Sequence, residues 1–152
     1  MSGIVRGDLL QLACDGRFDV IIHGCNCQCH MGAGIARQIR ERFPEAYEAD
    51  LMTEKGSREK LGSISTAVVT RGEVTFTIVN GYTQFHRSGP GVRADYDAIG
   101  DVMKNVKAGF SGARIGYPKI GAGLARGDWE VIAKIIDPEL EGEDHTLVIF
   151  EE

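Results

Sequence analysis

Two glycine-rich segments constrain this chain more than any other feature. One runs from His23-Gly24-Cys25-Asn26 into Met31-Gly32-Ala33-Gly34-Ile35, and the other is Ile120-Gly121-Ala122-Gly123-Leu124. Each stands between a short apolar run and a helical pattern: Asp19 to His23 (DVIIH) precedes the first, and Arg114 to Tyr117 precedes the second. At a strand-to-helix junction the backbone N–H groups are unpaired and point outward, and the helix dipole favours an anion there. Glycine removes the side chain that would keep phosphate oxygens away. One such segment is also what a tight turn or a helix cap requires. Two of them in 152 residues point to a ligand with two linked phosphates, held from both sides. Neither contains GxxxxGKS/T or GxGxxG, so a P-loop ATPase and a Rossmann domain are unsupported.

The rest of the chain alternates strand and helix patterns. Ile35, Ile39 and Phe43 recur at helical spacing within Gly32 to Phe43, and Pro44 opens a second helical stretch that ends near Gly56. Ile64 to Thr70 and Val74 to Val79 are β-branched, with Arg71-Gly72 suggesting a hairpin between them. Asp95 to Ala108 carries Tyr96, Ile99, Val102, Met103 and Val106 on one helical face, Trp129 to Ile136 is helical, and Thr146 to Phe150 is a closing strand. This order predicts an α/β chain, a three-layer α/β/α sandwich. The hairpin implies an antiparallel pair, so the central sheet is expected to be mixed. No repeat, low-complexity tract or linker interrupts it, so residues 1–152 are read as a single domain.

Composition excludes several classes. Hydrophobic residues make up 43% and charged residues 26%, as in an average globular chain, while 20 glycines are about twice the usual share. With 17 basic against 22 acidic residues, the net charge of −5 argues against general nucleic-acid binding. No apolar run reaches the roughly 18–20 residues of a membrane span, and residues 1–6 carry no signal-peptide pattern. Cys25, Cys27 and Cys29 alternate too closely for easy disulfide geometry, and Cys14 stands apart, which suits a reduced, cytoplasmic setting. With His23 and His30 those cysteines also look like soft metal ligands. Structural zinc, however, prefers two ligand pairs separated by a longer stretch, so no metal is expected.

Taken together, the motifs resemble the macrodomain family, which binds ADP-ribose. Val5-Arg6-Gly7-Asp8-Leu9 looks like the family's opening strand, and His23-Gly24-Cys25-Asn26 stands where many members have Asn-Ala-Ala-Asn. The Gly32 segment and Tyr117-Pro118-Lys119-Ile120-Gly121-Ala122-Gly123-Leu124 look like the two phosphate loops, and Leu147-Val148-Ile149-Phe150 like the closing strand. The resemblance implies a single macrodomain over residues 1–152 and ADP-ribose or ADP-ribose 1″-phosphate as partner. It further implies no cofactor, no membrane and a monomer. Asp8, with Leu9 beside it, would meet the adenine amino group, and Asn26 the distal ribose. Gly32, Ala33, Gly34 and Ile35, with Gly121, Ala122, Gly123 and Leu124, would hold the phosphates, and Phe150 would pack on adenine. Asp8 could instead cap a turn, and Phe150 could be plain core.

Departures from the pattern bear on chemistry. His23 is similar to the histidine of the ADP-ribose-1″-phosphate phosphatase branch, and an imidazole can move a proton near neutral pH where an amide cannot. It is therefore the first catalytic candidate, against the reading of a hydrogen-bonded strand-end histidine. Asp128 is the second, against the reading of a helix N-cap. A de-ADP-ribosylating branch often has an acidic residue after the second loop and a lysine following the strand that here reads Thr77-Ile78-Val79-Asn80-Gly81. Ala125 and Gly81 supply neither. The stretch Gly81 to Arg93 reads as a long binding loop offering Tyr82, Gln84, His86 and Arg87 to a terminal phosphate or ribose. The expected activity is phosphate hydrolysis from ADP-ribose 1″-phosphate or a related ester. A non-catalytic reader and a de-ADP-ribosylating hydrolase remain alternatives.

Overall fold

The structure is a computed structural model that describes residues 2–151. Runs of β-branched residues form β1 (Ser2–Gly7), β2 (Val20–Asn26), β3 (Ile64–Arg71), β4 (Val74–Gln84), β5 (Arg114–Tyr117) and β6 (Asp144–Phe150). Between them lie α1 (Leu9–Cys14), α2 (Gly34–Arg42), α3 (Pro44–Leu51), α4 (Tyr96–Phe110) and α5 (Trp129–Glu139). Asp95 caps α4 by accepting from the Ala98 N–H at 3.0 Å, and Pro44 sits in the first turn of α3, where its missing N–H does no harm.

The six strands form one sheet in the order β1-β6-β5-β2-β4-β3. Its pairs are parallel except β3–β4, the hairpin expected at Arg71-Gly72. The inner strands β2, β4 and β5 are buried on both faces, whereas the edge strand β1 is exposed. Ile22, Val79, Val102, Ile115 and Ile132 pack on the α4/α5 side, whereas Leu10, Ile21, Ile39, Phe43 and Ile78 pack beneath α1, α2 and α3. This is the mixed-sheet α/β sandwich expected from the sequence.

Two strands run further than their sequence patterns suggest. β2 continues three residues past His23 to Asn26, and β4 continues past Val79 to Gln84. The cause is partnership. Asn80 and Gly81 pair with β3 on one side and with His23 and Gly24 of β2 on the other, so the backbone stays extended despite its polar residues. The first four residues of the expected Gly81–Arg93 loop, Gly81 to Gln84, are therefore strand. The helix α1 and a 3-10 turn at Arg58–Lys60 carry no pattern that the sequence reading recognised.

Candidate functional site

All the parallel strands end at one edge, where the chain must leave the sheet and its backbone groups lack partners. An open cavity of about 760 Å3 lies along that edge. Its walls are the two glycine segments: Gly32, Ala33, Gly34 and Ile35 from the β2–α2 connection, and Gly121, Ala122, Gly123 and Leu124 from the β5–α5 connection. Gly24, Cys25 and Asn26 supply the floor, Phe150 one end, and His30, Gln84 and Arg87 the other. The structure thus brings together all ten loop, ribose and stacking residues singled out from sequence: the eight glycine-segment residues, Asn26 and Phe150.

The loops are built to present backbone. Ala33 precedes α2 without a side-chain cap, which leaves the first-turn N–H groups of this nine-residue helix facing the cavity. Gly34 has φ +59 and Gly121 has φ +77, conformations an L side chain rarely adopts. The second loop closes on itself through the Gly127 N–H, which donates to Gly121 O at 2.6 Å. Arg93 ties it to the segment after β4: its backbone N–H donates to Ala125 O at 2.8 Å, and its guanidinium donates to Leu124 O and to Gly89 O.

The lining has a definite electrostatic sign. Lys119 and Arg87 line the cavity, and among the described residues no aspartate or glutamate does. Cys25 is there too, but burial pushes its thiol well above the ordinary range, so it is neutral. Such a lining favours an anion.

Three expected contacts are placed otherwise. Asp8 is the N-cap of α1, accepting from the N–H groups of Leu10 at 3.0 Å and Gln11 at 3.2 Å. It lies at the same sheet edge, since its neighbour Gly7 is in register with Phe150, but it does not line the cavity. Leu9 is buried in the core beneath α1. Asn26 lines the cavity, yet its side chain is already engaged: Nδ2 donates to His30 O at 2.8 Å and Oδ1 accepts from the Gln28 N–H at 2.9 Å, folding the first loop.

Neither catalytic candidate reaches the cavity. His23 shares the sheet face of Ile21, under α3, and is 1% exposed. Its Nε2–H donates to Asn80 Oδ1 at 2.6 Å, and Asn80 Nδ2 donates on to Ala46 O in α3 at 2.9 Å. Burial lowers its pKa to about 4, so the ring is neutral near pH 7 and is a structural bridge between sheet and helix. Asp128 is exposed and caps α5, accepting from the Glu130 N–H at 3.0 Å, while its own N–H donates to Tyr96 Oη. Tyr82 and His86 also fall away. Tyr82 is fully buried with its hydroxyl donating to Asp50 Oδ1 at 2.7 Å, and His86 stands edge-on to Phe85 outside the lining.

Beneath the first loop lies a polar cluster that no sequence signal disclosed. Lys60 is 7% exposed; its Nζ donates to Cys27 O at 3.4 Å and lies 3.6 Å from Cys29 Sγ. Asp50 is 1% exposed, and burial raises its carboxyl pKa against the opposing pull of Tyr82 and Lys60. An ammonium group therefore occupies the space among the cysteine backbone where a metal was considered. Among the described residues no three His, Cys, Asp or Glu side chains converge on a common point. None of the described helices is long and apolar enough to cross a membrane.

A family model described as Macro domain matches residues 22–136. The chain belongs to the macro domain family. An Enterobacteria phage T4 relative, the uncharacterized 17.5 kDa protein in the tk-vs intergenic region, is 36% identical over 138 residues, which is 88% of this chain and 86% of that one. The Bos taurus ADP-ribose glycohydrolase OARD1 is 29% identical over 149 residues, covering 96% of this macro domain and 88% of the bovine protein. Among solved structures, the macrodomain of Thermus aquaticus DarG superposes with a TM-score of 0.72 at 23% identity, over 100% of this chain and 99% of that one. That likeness shows the fold.

Proposed function

We propose that this macro domain binds ADP-ribose along the strand edge and hydrolyses a bond at its distal ribose, releasing the terminal phosphate of ADP-ribose 1″-phosphate or a related ester. The observation that carries the reading is the order of the cavity's parts. Phe150 ends β6, the second glycine loop leaves β5, the first leaves β2, and Gln84 ends β4, four neighbouring strands in that sequence. From β6 to β4 is three inter-strand spacings, about 14 Å. Adenine on Phe150 would put the diphosphate over β5 and β2, between the two sets of loop N–H groups, and the second ribose at β4. In the reaction, water attacks phosphorus, the bond from phosphorus to the C1″ oxygen breaks, and that oxygen takes a proton. Loop N–H groups and the cationic lining offset the negative charge throughout.

A second reading, removal of ADP-ribose from a modified macromolecule, is favoured by the similarity to OARD1. Against it stands the absence of a carboxylate from the lining among the described residues, because glycosidic cleavage usually relies on carboxylates for acid and base. The deciding experiment incubates the protein with ADP-ribose 1″-phosphate and, separately, with ADP-ribosylated protein and nucleic acid. Released inorganic phosphate supports the first reading, and released ADP-ribose the second. Binding without either product means a reader.

A further inference from the structure

At the distal end of the cavity two cavity-lining side chains meet from opposite walls. Arg87, from the segment after β4, places a guanidinium nitrogen 3.2 Å from Nε2 of His30, on the β2–α2 connection. A guanidinium only donates, so Nε2 is the acceptor in this contact. His30 is held from behind: Asn26 Nδ2 grips its carbonyl, and its ring lies over Gly32, where any side chain would collide with it. Among the described residues no carboxylate pairs with Arg87 or with Lys119. A cationic fork with most of its donors uncommitted therefore faces a ring, over the spot where the distal ribose would end.

We propose that Arg87 and His30 form a clamp that selects ligands carrying a phosphomonoester on the distal ribose; the inference rests on the reading that ADP-ribose lies along this edge. A phosphate dianion inserted between them replaces one weak Arg–His contact with two parallel N–H···O bonds from the guanidinium, and His30 adds a third in the tautomer that carries its proton on Nε2. Arg87 swings with an exposed segment, and His30 is fixed by its loop, so the moving partner is Arg87. ADP-ribose itself, ending in a neutral hydroxyl, leaves the original contact in place.

The test compares ADP-ribose 1″-phosphate, ADP-ribose and ADP, with affinities taken by rapid mixing before any turnover. The native protein should prefer the phosphate-bearing ligand to ADP-ribose by about 10- to 100-fold, the range for charge-assisted hydrogen bonds. In Arg87→Gln the preference should fall to within about twofold, Arg87→Lys should keep part of it, and His30→Gln should lie between. Both positions are exposed, so the variants fold. No affinity for ADP-ribose in the native protein refutes the cavity reading along with the clamp. Affinity for ADP-ribose without preference for the phosphate refutes the clamp alone, as does a preference that survives both Gln variants.

Discussion

Replacing His23 should flatten the acid limb of stability. In the native protein the ring is neutral and donates to Asn80, with its pKa lowered by burial from 6.5 to about 4, while in the unfolded chain it regains the ordinary value. As pH falls below 6.5 the unfolded state takes up a proton that the folded state refuses, so stability is full above 6.5 and drains away until about 4. The whole gap corresponds to about 3 kcal/mol, of which about 2 kcal/mol is lost by about pH 5. At that pH the paired carboxylates hardly contribute, because Arg114 holds Asp19, Arg71 holds Glu45, and the Gly112 N–H holds Glu143 below their usual range. Burial also lowers His145 and raises Asp50, with opposite effects on the same limb. Both cancel when the variant is subtracted from the parent. Urea unfolding at about pH 7.5 and about pH 5 should show the parent losing about 2 kcal/mol more than His23→Gln. Equal losses in the two proteins would mean that the imidazole is hydrated, and the assignment of His23 as a buried bridge would be wrong.

Gly123→Glu should abolish ADP-ribose binding in a folded protein, since a Cβ there meets nothing within 4 Å yet the carboxylate would stand among the phosphates; calorimetry with a thermal melt checks both halves. Phe150→Ala should weaken ADP-ribose about tenfold by loss of stacking and leave ribose 5-phosphate unaffected, with little change in melting because the ring is 65% exposed. Asp128→Ala should cost about 1 kcal/mol of stability through the lost α5 cap and leave the proposed turnover of the folded protein intact; loss of turnover at full stability would mark Asp128 as a catalytic group.

Why the cavity walls were legible and the burial of His23 was not comes down to where strands end. Gly32–Ile35 and Gly121–Leu124 announce themselves because a strand, a glycine cluster and a helix in that order fix a junction, whatever the exact boundaries. His23 depends on the boundary. With β2 ending at Asn26, His23 lies three residues, about 10 Å, short of the edge, and alternation turns it to the α3 face. An all-apolar run such as Val20-Ile21-Ile22 conceals which face is which, because both are buried. Tyr82 fails for the same reason in β4. Asp8 and Asp128 show a different ambiguity, since an aspartate before a helix has the same sequence signature as cap and as ligand. Lys60 and Asp50 were unreadable because charged residues in a polar stretch look solvated until a tertiary contact covers them.

Arg93 joins the second glycine loop to the segment after β4, through Leu124 O and Ala125 O on one side and Gly89 O on the other. Segments stitched together at one side chain cannot breathe independently. Amide protons of residues 121–127 and 85–95 should therefore exchange with a shared opening rate, as one cooperative unit. A bound diphosphate that touches only the second loop would then slow exchange in both stretches. The residence time of the ligand would be set by a single gate, whose latch is a guanidinium outside the cavity lining.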